Sequence, residues 1–288
     1  MKVTTAVIAT AGFGSRMLPV TAAVQKELLP VLDRPIIDYV VADCLAAGVT
    51  KVIFVISPNS HGLQDYYVGN PVLESHLKRY GKSAALKKLN QIHASATYSF
   101  VEQPDDAGYG TGVPIRIAAP HLPKNEAFIY CSGDAFAYRS DGVSEMKLMV
   151  DEFTKTGAAG AVMGLWMPDH ELHRYGVLDL ESRRGHQYLR GIVEKPEPGQ
   201  EPSNIINSAL FVMTPQLLPF IYDLKIDPRH NEYLATDAMT AAATKRDIVV
   251  HEAKSRWLDA GNLAGWLQAN LVMAQANPEL APLTVYKP

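Results

Sequence analysis

The chain has 288 residues, 47% of them hydrophobic and 20% charged, which supplies a full core and excludes a disordered polymer. Lys and Arg number 27 against 30 Asp and Glu, a formal net charge of -3. No global positive field exists for a nucleic acid or an acidic membrane, so any phosphate binding has to be local. Two cysteines, Cys44 and Cys131, both in apolar runs, exclude a disulfide scaffold. The N-terminus reaches glycine before any long apolar region forms, and no 18-residue apolar stretch occurs, so a cytoplasmic protein is expected.

Residues 3–9 form a β-prone run that feeds Thr10-Ala11-Gly12-Phe13-Gly14-Ser15-Arg16, a strand entering a glycine loop. Asp33-Arg34-Pro35 then offers an N-cap and a first-turn proline for a helix carrying Ile36, Ile37, Val40, Val41, Cys44 and Leu45 and stopping at Gly48. A buried strand follows over 51–56, so the chain opens as a parallel crossover unit and the fold class is α/β. The lysine-rich stretch 71–91 reads as a solvent-facing helical insertion, with Gly81 as its break. Strands are expected over 96–101 and 127–131, the second running into Ser132-Gly133-Asp134, the kind of strand end where open α/β sheets place ligands. Runs at 158–165, 177–180, 188–193 and 205–212 are joined by short loops, which implies an antiparallel or mixed section. Helical patterns over 236–244 and 263–274, with short strands at 248–250 and 257–259 between them, close the chain. Without an internal repeat or a low-complexity linker, one domain over 1–288 is expected: a mixed, mostly parallel Rossmann-like sheet flanked by helices.

Several residues have two readings. The glycines at spacing two followed by Arg16 let backbone N–H groups approach a phosphate while the guanidinium neutralises it. The loop is neither a dinucleotide fingerprint, since Met17 replaces the third glycine, nor a Walker loop, and a plain structural turn fits it equally. Lys26 is a phosphate ligand or a solvated charge; Asp134 and Asp259 are metal ligands or turn acids. Glu194 and Lys195 are a surface ion pair, unless a bend lets both face one ligand; neighbouring strand residues point opposite ways, and Pro196 supplies the bend. Nine histidines lack metal-ligand spacing, so zinc is not expected.

Ala11 to Pro19 followed by Lys26-Glu27-Leu28-Leu29-Pro30-Val31 resembles the signature of the sugar-1-phosphate nucleotidyltransferases. Gln103-Pro104 with Gly108-Tyr109-Gly110, then Gly133-Asp134, Tyr175-Gly176-Val177, Val193-Glu194-Lys195-Pro196 and Leu258-Asp259-Ala260-Gly261-Asn262 follow in the same order. The resemblance covers residues 3 to about 275, and Met17-Leu18-Pro19, the Lys26 segment, the lysine-rich insertion and Asp237-Ala238 look most like the bacterial UTP:glucose-1-phosphate branch. It implies the nucleotide-diphospho-sugar transferase fold, with UTP and glucose 1-phosphate as substrates, UDP-glucose and pyrophosphate as products, and Mg2+ held by Asp134 and Asp259. Arg16 and Lys26 would take charge on the phosphates. Ala11, Gly12, Gly14, Glu27, Gln103 and Gly108 would bind the nucleotide, Gln103 by an amide suited to a pyrimidine edge. Gly176 and Glu194 would bind the sugar, and Lys195 its phosphate.

The chemistry accounts for these residue types. A sugar-phosphate oxygen attacks the α-phosphorus and pyrophosphate leaves opposite, so two polyanions must meet and no covalent nucleophile is required. Departures from the family pattern are Gln25 in place of a frequent proline, Ala135 in place of a second acid, Thr111 in place of histidine, and the stretch Ile206 to Phe211. A glucose-1-phosphate thymidylyltransferase and a catalytically silent nucleotide-sugar-binding regulator are the alternatives. The intact set Arg16, Lys26, Asp134, Lys195 and Asp259 argues against silence. The apolar helix from Leu263 suggests a homo-oligomer.

Overall fold

The computed structural model describes residues 1–58 and 60–284. Strand β1 (Val3–Thr10) is buried along nearly its whole length, as a central parallel strand must be. A minimal hairpin, β2 (Pro30–Val31) with β3 (Arg34–Pro35), leads into helix α1 (Ile36–Ala46). Here the structure corrects the expected cap. Asp33 lies in the hairpin turn beside Leu32, which adopts φ 56°, while extended Pro35 occupies the cap position and Ile36 N donates to Leu29 O at 3.0 Å.

Next come β4 (Lys51–Ile56), α2 (Gly62–Tyr67), α3 (Pro71–Arg79), α4 (Ser83–His93), β5 (Thr97–Glu102), α5 (Gly112–Ala118), β6 (Ala127–Ser132) and β7 (Ala135–Tyr138). The insertion is two helices, α3 and α4, separated at Gly81 as expected. The remainder is α6 (Glu145–Thr156), β8 (Gly160–Trp166), β9 (Gly176–Arg183), β10 (His186–Glu194), β11 (Ile205–Met213), α7 (Leu218–Tyr222), α8 (Ala235–Ala243), β12 (Ile248–Ala253), β13 (Arg256–Asp259) and α9 (Leu263–Ala276). Helix α6 goes beyond the sequence reading, although its signals are ordinary: Ser144 Oγ accepts from Lys147 N at 2.9 Å, and left-handed Gly157 ends it.

Nine strands form one sheet in the order β5-β4-β1-β6-β11-β8-β12-β10-β9. The first four are parallel, β11 runs antiparallel to both its neighbours, and the β9–β10 hairpin closes the far edge. The sheet is mixed and mostly parallel, as the motif spacing implies. Alternation along β4 feeds two cores: Val52, Phe54 and Ile56 pack in the layer of α1 and α6, and Ile53 and Val55 in the layer of α5 and α8. Strand β13 pairs with β7 outside this sheet, bringing Asp259 opposite Ala135. Among the described residues no helix is long and apolar enough to cross a membrane.

Candidate active site

The connection from β1 to β4 and on to β5 moves to one side of the sheet, whereas β6 lies on the other side of β1. That reversal leaves a crevice at the carboxyl ends of β1 and β6, where open α/β sheets bind ligands. A cavity of about 510 Å³ opens there, its wall including Ala11, Gly12, Lys26, Gln103, Gly108 and Tyr233. The glycine loop holds its shape through Gly14, whose φ of 65° suits a residue without a side chain. Gly14 O accepts from Met17 N at 2.8 Å and from Thr21 Oγ1 at 2.9 Å, so Gly14 shapes the turn and does not line the cavity. Gln103 Nε2 donates to Gly108 O at 3.3 Å, while Gln103 Oε1 is out of solvent and has no partner among the described residues. An acceptor orphaned in a cavity wall calls for a donor from a ligand.

Beneath the loop lies the electrostatic centre. Lys26 Nζ sits 2.5 Å from Asp134 Oδ2, and Ser132 Oγ donates to the other oxygen of the same carboxylate. Burial works against the Lys26 ammonium, but Asp134 and Glu27 outweigh it and hold its pKa above the ordinary lysine value. For Asp134, burial pushes the pKa up, while Lys26, Ser132 and Arg16 together pull it below the ordinary carboxylate value. The pair is therefore ionised on both sides.

Glu27 departs from its expected place at the nucleotide. Its side chain is 1% exposed, 3.6 Å from Lys26 Nζ, on neither cavity wall, and both its oxygens lack hydrogen-bond partners among the described residues. Burial, opposed by Lys26 and reinforced by Asp134, pushes its pKa up to about 8. Asp134, at 2.5 Å against 3.6 Å for Glu27, is the close counter-charge of Lys26. Arg16 is exposed on the turn Ser15–Met17, where its charge still reaches both Lys26 and Asp134.

Asp259 comes to the same place from the other end of the chain. Ala260 N donates to Asp134 O at 2.9 Å, and Gly261 N donates to Asp259 Oδ1 at 3.0 Å. A Cβ at Gly261 would stand 2.4 Å from Asp134 Oδ2 and 3.2 Å from Asp259 Oδ1, so only glycine leaves room between the two carboxylates. Two convergent carboxylates suit a hard divalent cation. No cluster of three or more His, Cys, Asp or Glu ligands exists among the described residues.

A second cavity of about 260 Å³ shares Thr111, Ala209 and Glu232 with the first and ends at Gly176, Glu194 and Lys195. The three residues expected at a sugar phosphate thus come together, but the bend differs in origin. Lys195 itself adopts φ 47°, with its N–H bound to Tyr175 O at 3.0 Å, ahead of Pro196. Burial, opposed by Lys195 and His230, raises the Glu194 pKa.

Sequence reasoning missed the opposite wall. Tyr233 N donates to Tyr109 O and Gly112 N to Tyr233 O, both at 2.8 Å, and the Arg116 guanidinium stacks 4.6 Å from the Tyr233 ring centre. Arg174, Asn207 and His230 face the second cavity. Ala209, at φ 58° inside the bulge of β11, touches both cavities. The turn-rich segment between α7 and α8 has no periodicity to mark it, and the stretch Ile206 to Phe211 shows in the sequence only as a departure from the family pattern, not as a cavity wall.

A mixed α/β sheet with a glycine loop at its topological reversal, a buried lysine–aspartate pair and an adjoining sugar-sized cavity defines a nucleotidyltransferase. The family model described as nucleotidyl transferase matches residues 5–276, and the chain belongs to that family. It is 30% identical over 282 residues to a UTP–glucose-1-phosphate uridylyltransferase of Staphylococcus epidermidis, with 97% of this chain and 95% of the relative covered. Among solved structures it is similar to a UTP-bound UGPase from Acinetobacter baumannii, with a TM-score of 0.88 at 26% identity over 98% of this chain and 97% of that one. It is likewise similar to a UDP-glucose pyrophosphorylase complexed with UDP-glucose, with a TM-score of 0.84 at 25% identity over 96% and 100% of the two chains.

Proposed function

We propose that the protein transfers a uridylyl group from UTP to glucose 1-phosphate, forming UDP-glucose and pyrophosphate. The observation that carries this reading is the pair of connected cavities, one walled by the glycine loop, Lys26 and Gln103, the other ending at Glu194 and Lys195. The names of the relatives support it, since proteins similar to this chain along nearly its whole length are uridylyltransferases of glucose 1-phosphate. Gln103 Oε1 accepts from the uracil edge, and Ala11, Gly12 and Gly108 bring backbone close to the nucleotide. Lys195 binds the sugar phosphate, and Glu194 and Gly176 bind the sugar.

In the reaction an oxygen of the sugar phosphate bonds to the α-phosphorus of UTP, and the bond from that phosphorus to the leaving pyrophosphate oxygen breaks with its electrons. Lys26 and Arg16 place fixed positive charge where the phosphates crowd, the preorganised electrostatics that phosphoryl-type transfer needs. Asp134 and Asp259 would hold a Mg2+ ion, which would supply positive charge to screen the two polyanions from one another. Asp134 also orients Lys26 through their ion pair.

Pyrophosphate release with four nucleoside triphosphates and several hexose 1-phosphates tests the reading. UTP with glucose 1-phosphate is expected to give the highest kcat/KM. A preference for dTTP would make the enzyme a thymidylyltransferase, and no turnover with any pair would leave a binding module. Comparison with dUTP locates the sieve: a methyl in an apolar pocket discriminates by only about 1 to 3 kcal/mol, far less than a site built around a hydroxyl. UTP is therefore expected to exceed dUTP as well as dTTP.

The same reading takes residues 1–288 as a single domain built on one nine-stranded sheet, working in the cytoplasm beside its nucleotide substrate. It also takes the protein as a homo-oligomer. Leu263, Leu267 and Leu271 are exposed one helical turn apart on α9, which has no charged residue in its 14 positions, and a second copy is the partner that matches such a face.

A further inference from the structure

The turn 227–232, which helps to wall both cavities, is built around one buried carboxylate. Asp227 Oδ1 accepts from Arg229 N at 2.8 Å and His230 N at 3.0 Å and meets His230 Nδ1 at 3.2 Å, while Oδ2 takes the Arg229 guanidinium at 3.1 Å. The backbone closes on the same residue: Asp227 N donates to Glu232 O and Asn231 N to Asp227 O, both at 2.8 Å, with Asn231 at φ 58°. Such redundancy fixes whatever the turn presents.

It presents His230. The side chain is 25% exposed and lines the second cavity with Lys195, Arg174 and Glu194. Its Nδ1 is tethered to Asp227, and Nε2 has no hydrogen-bond partner among the described residues. His251, at 12% side-chain exposure, shows the contrasting arrangement of a structural histidine, with both ring nitrogens on carboxylates. A histidine anchored at one nitrogen by a carboxylate and left open at the other is arranged as ligand-binding imidazoles are, because the anchor fixes the ring and leaves the second nitrogen facing the cavity.

We infer that His230 is a specificity-determining ligand of the sugar substrate, its Nε2–H donating to the anionic hexosyl phosphate beside Lys195 and Arg174, with Asp227 as the positioning residue. This rests on the uridylyltransferase reading for the identity of the reaction. Charge favours the phosphate over a hydroxyl as the group bound, since the Lys195 ammonium and the Arg174 guanidinium line the same cavity.

The experiment measures KM and kcat for both substrates in wild-type enzyme, His230→Ala, His230→Gln and Asp227→Asn, with a panel of hexose 1-phosphates. His230→Ala is expected to raise KM for the sugar phosphate about tenfold or more, the scale of one charge-assisted hydrogen bond, with the UTP KM held within about twofold. His230→Gln, which keeps an N–H donor, recovers part of the loss, and Asp227→Asn moves the same KM by less. If wild-type enzyme prefers another sugar, the glucose reading fails, and the comparison is made on the preferred sugar. The ring C–H resonances of His230, assigned by their absence in His230→Gln, provide a readout without turnover: they should shift on adding UDP-glucose and stay in place with UTP alone. A sugar-phosphate KM within twofold of wild type in His230→Ala, an equal rise for both substrates, or resonances unmoved by UDP-glucose would each overturn the assignment.

Discussion

Asp134 carries three duties in the structure: partner of Lys26, acceptor from Ser132, and one of two carboxylates flanking Gly261. Asp134→Ala and Asp259→Ala are therefore expected to abolish turnover at saturating Mg2+ while circular dichroism shows the fold intact. Near wild-type rates from either variant at limiting Mg2+ would remove it from the metal site. Lys195 separates function from surface chemistry most directly, since an exposed lysine with at most a weak charge interaction with Glu194 would be worth under about 1 kcal/mol and nothing in catalysis. Lys195→Ala is expected to raise KM for glucose 1-phosphate by about tenfold or more, with UTP affinity in calorimetry changing much less. Equal losses for both ligands would move Lys195 to the nucleotide. At this scale residue type alone left Lys26 either a phosphate ligand or a solvated charge, and only the ordered motifs around it pointed to the crevice where the structure places it beside Gln103. The sequence was silent where conformation decides: no sequence rule places a lysine at left-handed φ, which costs of order 1 kcal/mol and persists only because the surroundings enforce it. Nor does an acid between Lys26 and Leu28 announce that it will be buried whole, as Glu27 is.

Helix α6 illustrates the element scale. Its Glu145 and Glu152 grip His251 of β12 at 2.9 and 3.0 Å, Glu152 also holds His186 of β10 at 3.0 Å, and Arg139 reaches Glu145 at 2.9 Å. Burial alone would lower the His251 pKa, but Glu152 and Glu145 prevail and raise it above 6.5. Burial pushes Glu145 up, yet Arg139 and His251 bring it below 4.5; the His251 hydrogen bond does the same for Glu152. The sign follows from linkage. The histidine's contribution is full below pH 6.5 and is lost as pH rises through its raised value, whereas the glutamates' contribution is present above pH 4.5 and lost as pH falls through their lowered values. The clamp is thus strongest between pH 4.5 and 6.5. His251→Gln should cost about 2 kcal/mol in that window, a few degrees of Tm, and less on the alkaline side. Melting curves of both proteins from pH 5 to 9 check it, and a pH-independent difference would reduce the clamp to packing. Periodicity revealed most other elements. It missed α2, α5, β7, α6 and α7, and also the hairpin before α1, where the turn at Leu32 and Pro35 in the cap position override an apparent Asp33 cap.

For the molecule as a whole, the order of motifs along the chain was readable, but their meeting point was not, because convergence depends on strand order. Lys26 and Asp134 are 108 residues apart in sequence, and β13 reaches Asp134 by leaving the main sheet to pair with β7. The sequence gives no hint that α9 folds back on the hairpin after Lys26, where Trp266 Nε1 donates to Pro30 O at 2.8 Å and Asn270 Oδ1 accepts from Leu32 N at 3.0 Å. The outer face of α9 sets the assembly expectation. Light scattering should find more than one copy per particle, and Leu267→Glu should shift the protein toward the monomer by placing a charge in the apolar stripe. An unchanged mass for the variant would move the contact off this helix.

The Trp266 fastening spans 236 residues, and its consequence concerns the making of the protein. During vectorial synthesis the glycine loop, Lys26 and Asp134 emerge early, and the nucleotide cavity has nearly all its walls before the last strand and helix appear. Asp259 and the strap that ties it to the Lys26 hairpin arrive at the end. A chain clipped before residue 256 would lack Asp259 and with it half of the carboxylate pair that flanks Gly261. On the proposed reading, such a copy is expected to release no pyrophosphate.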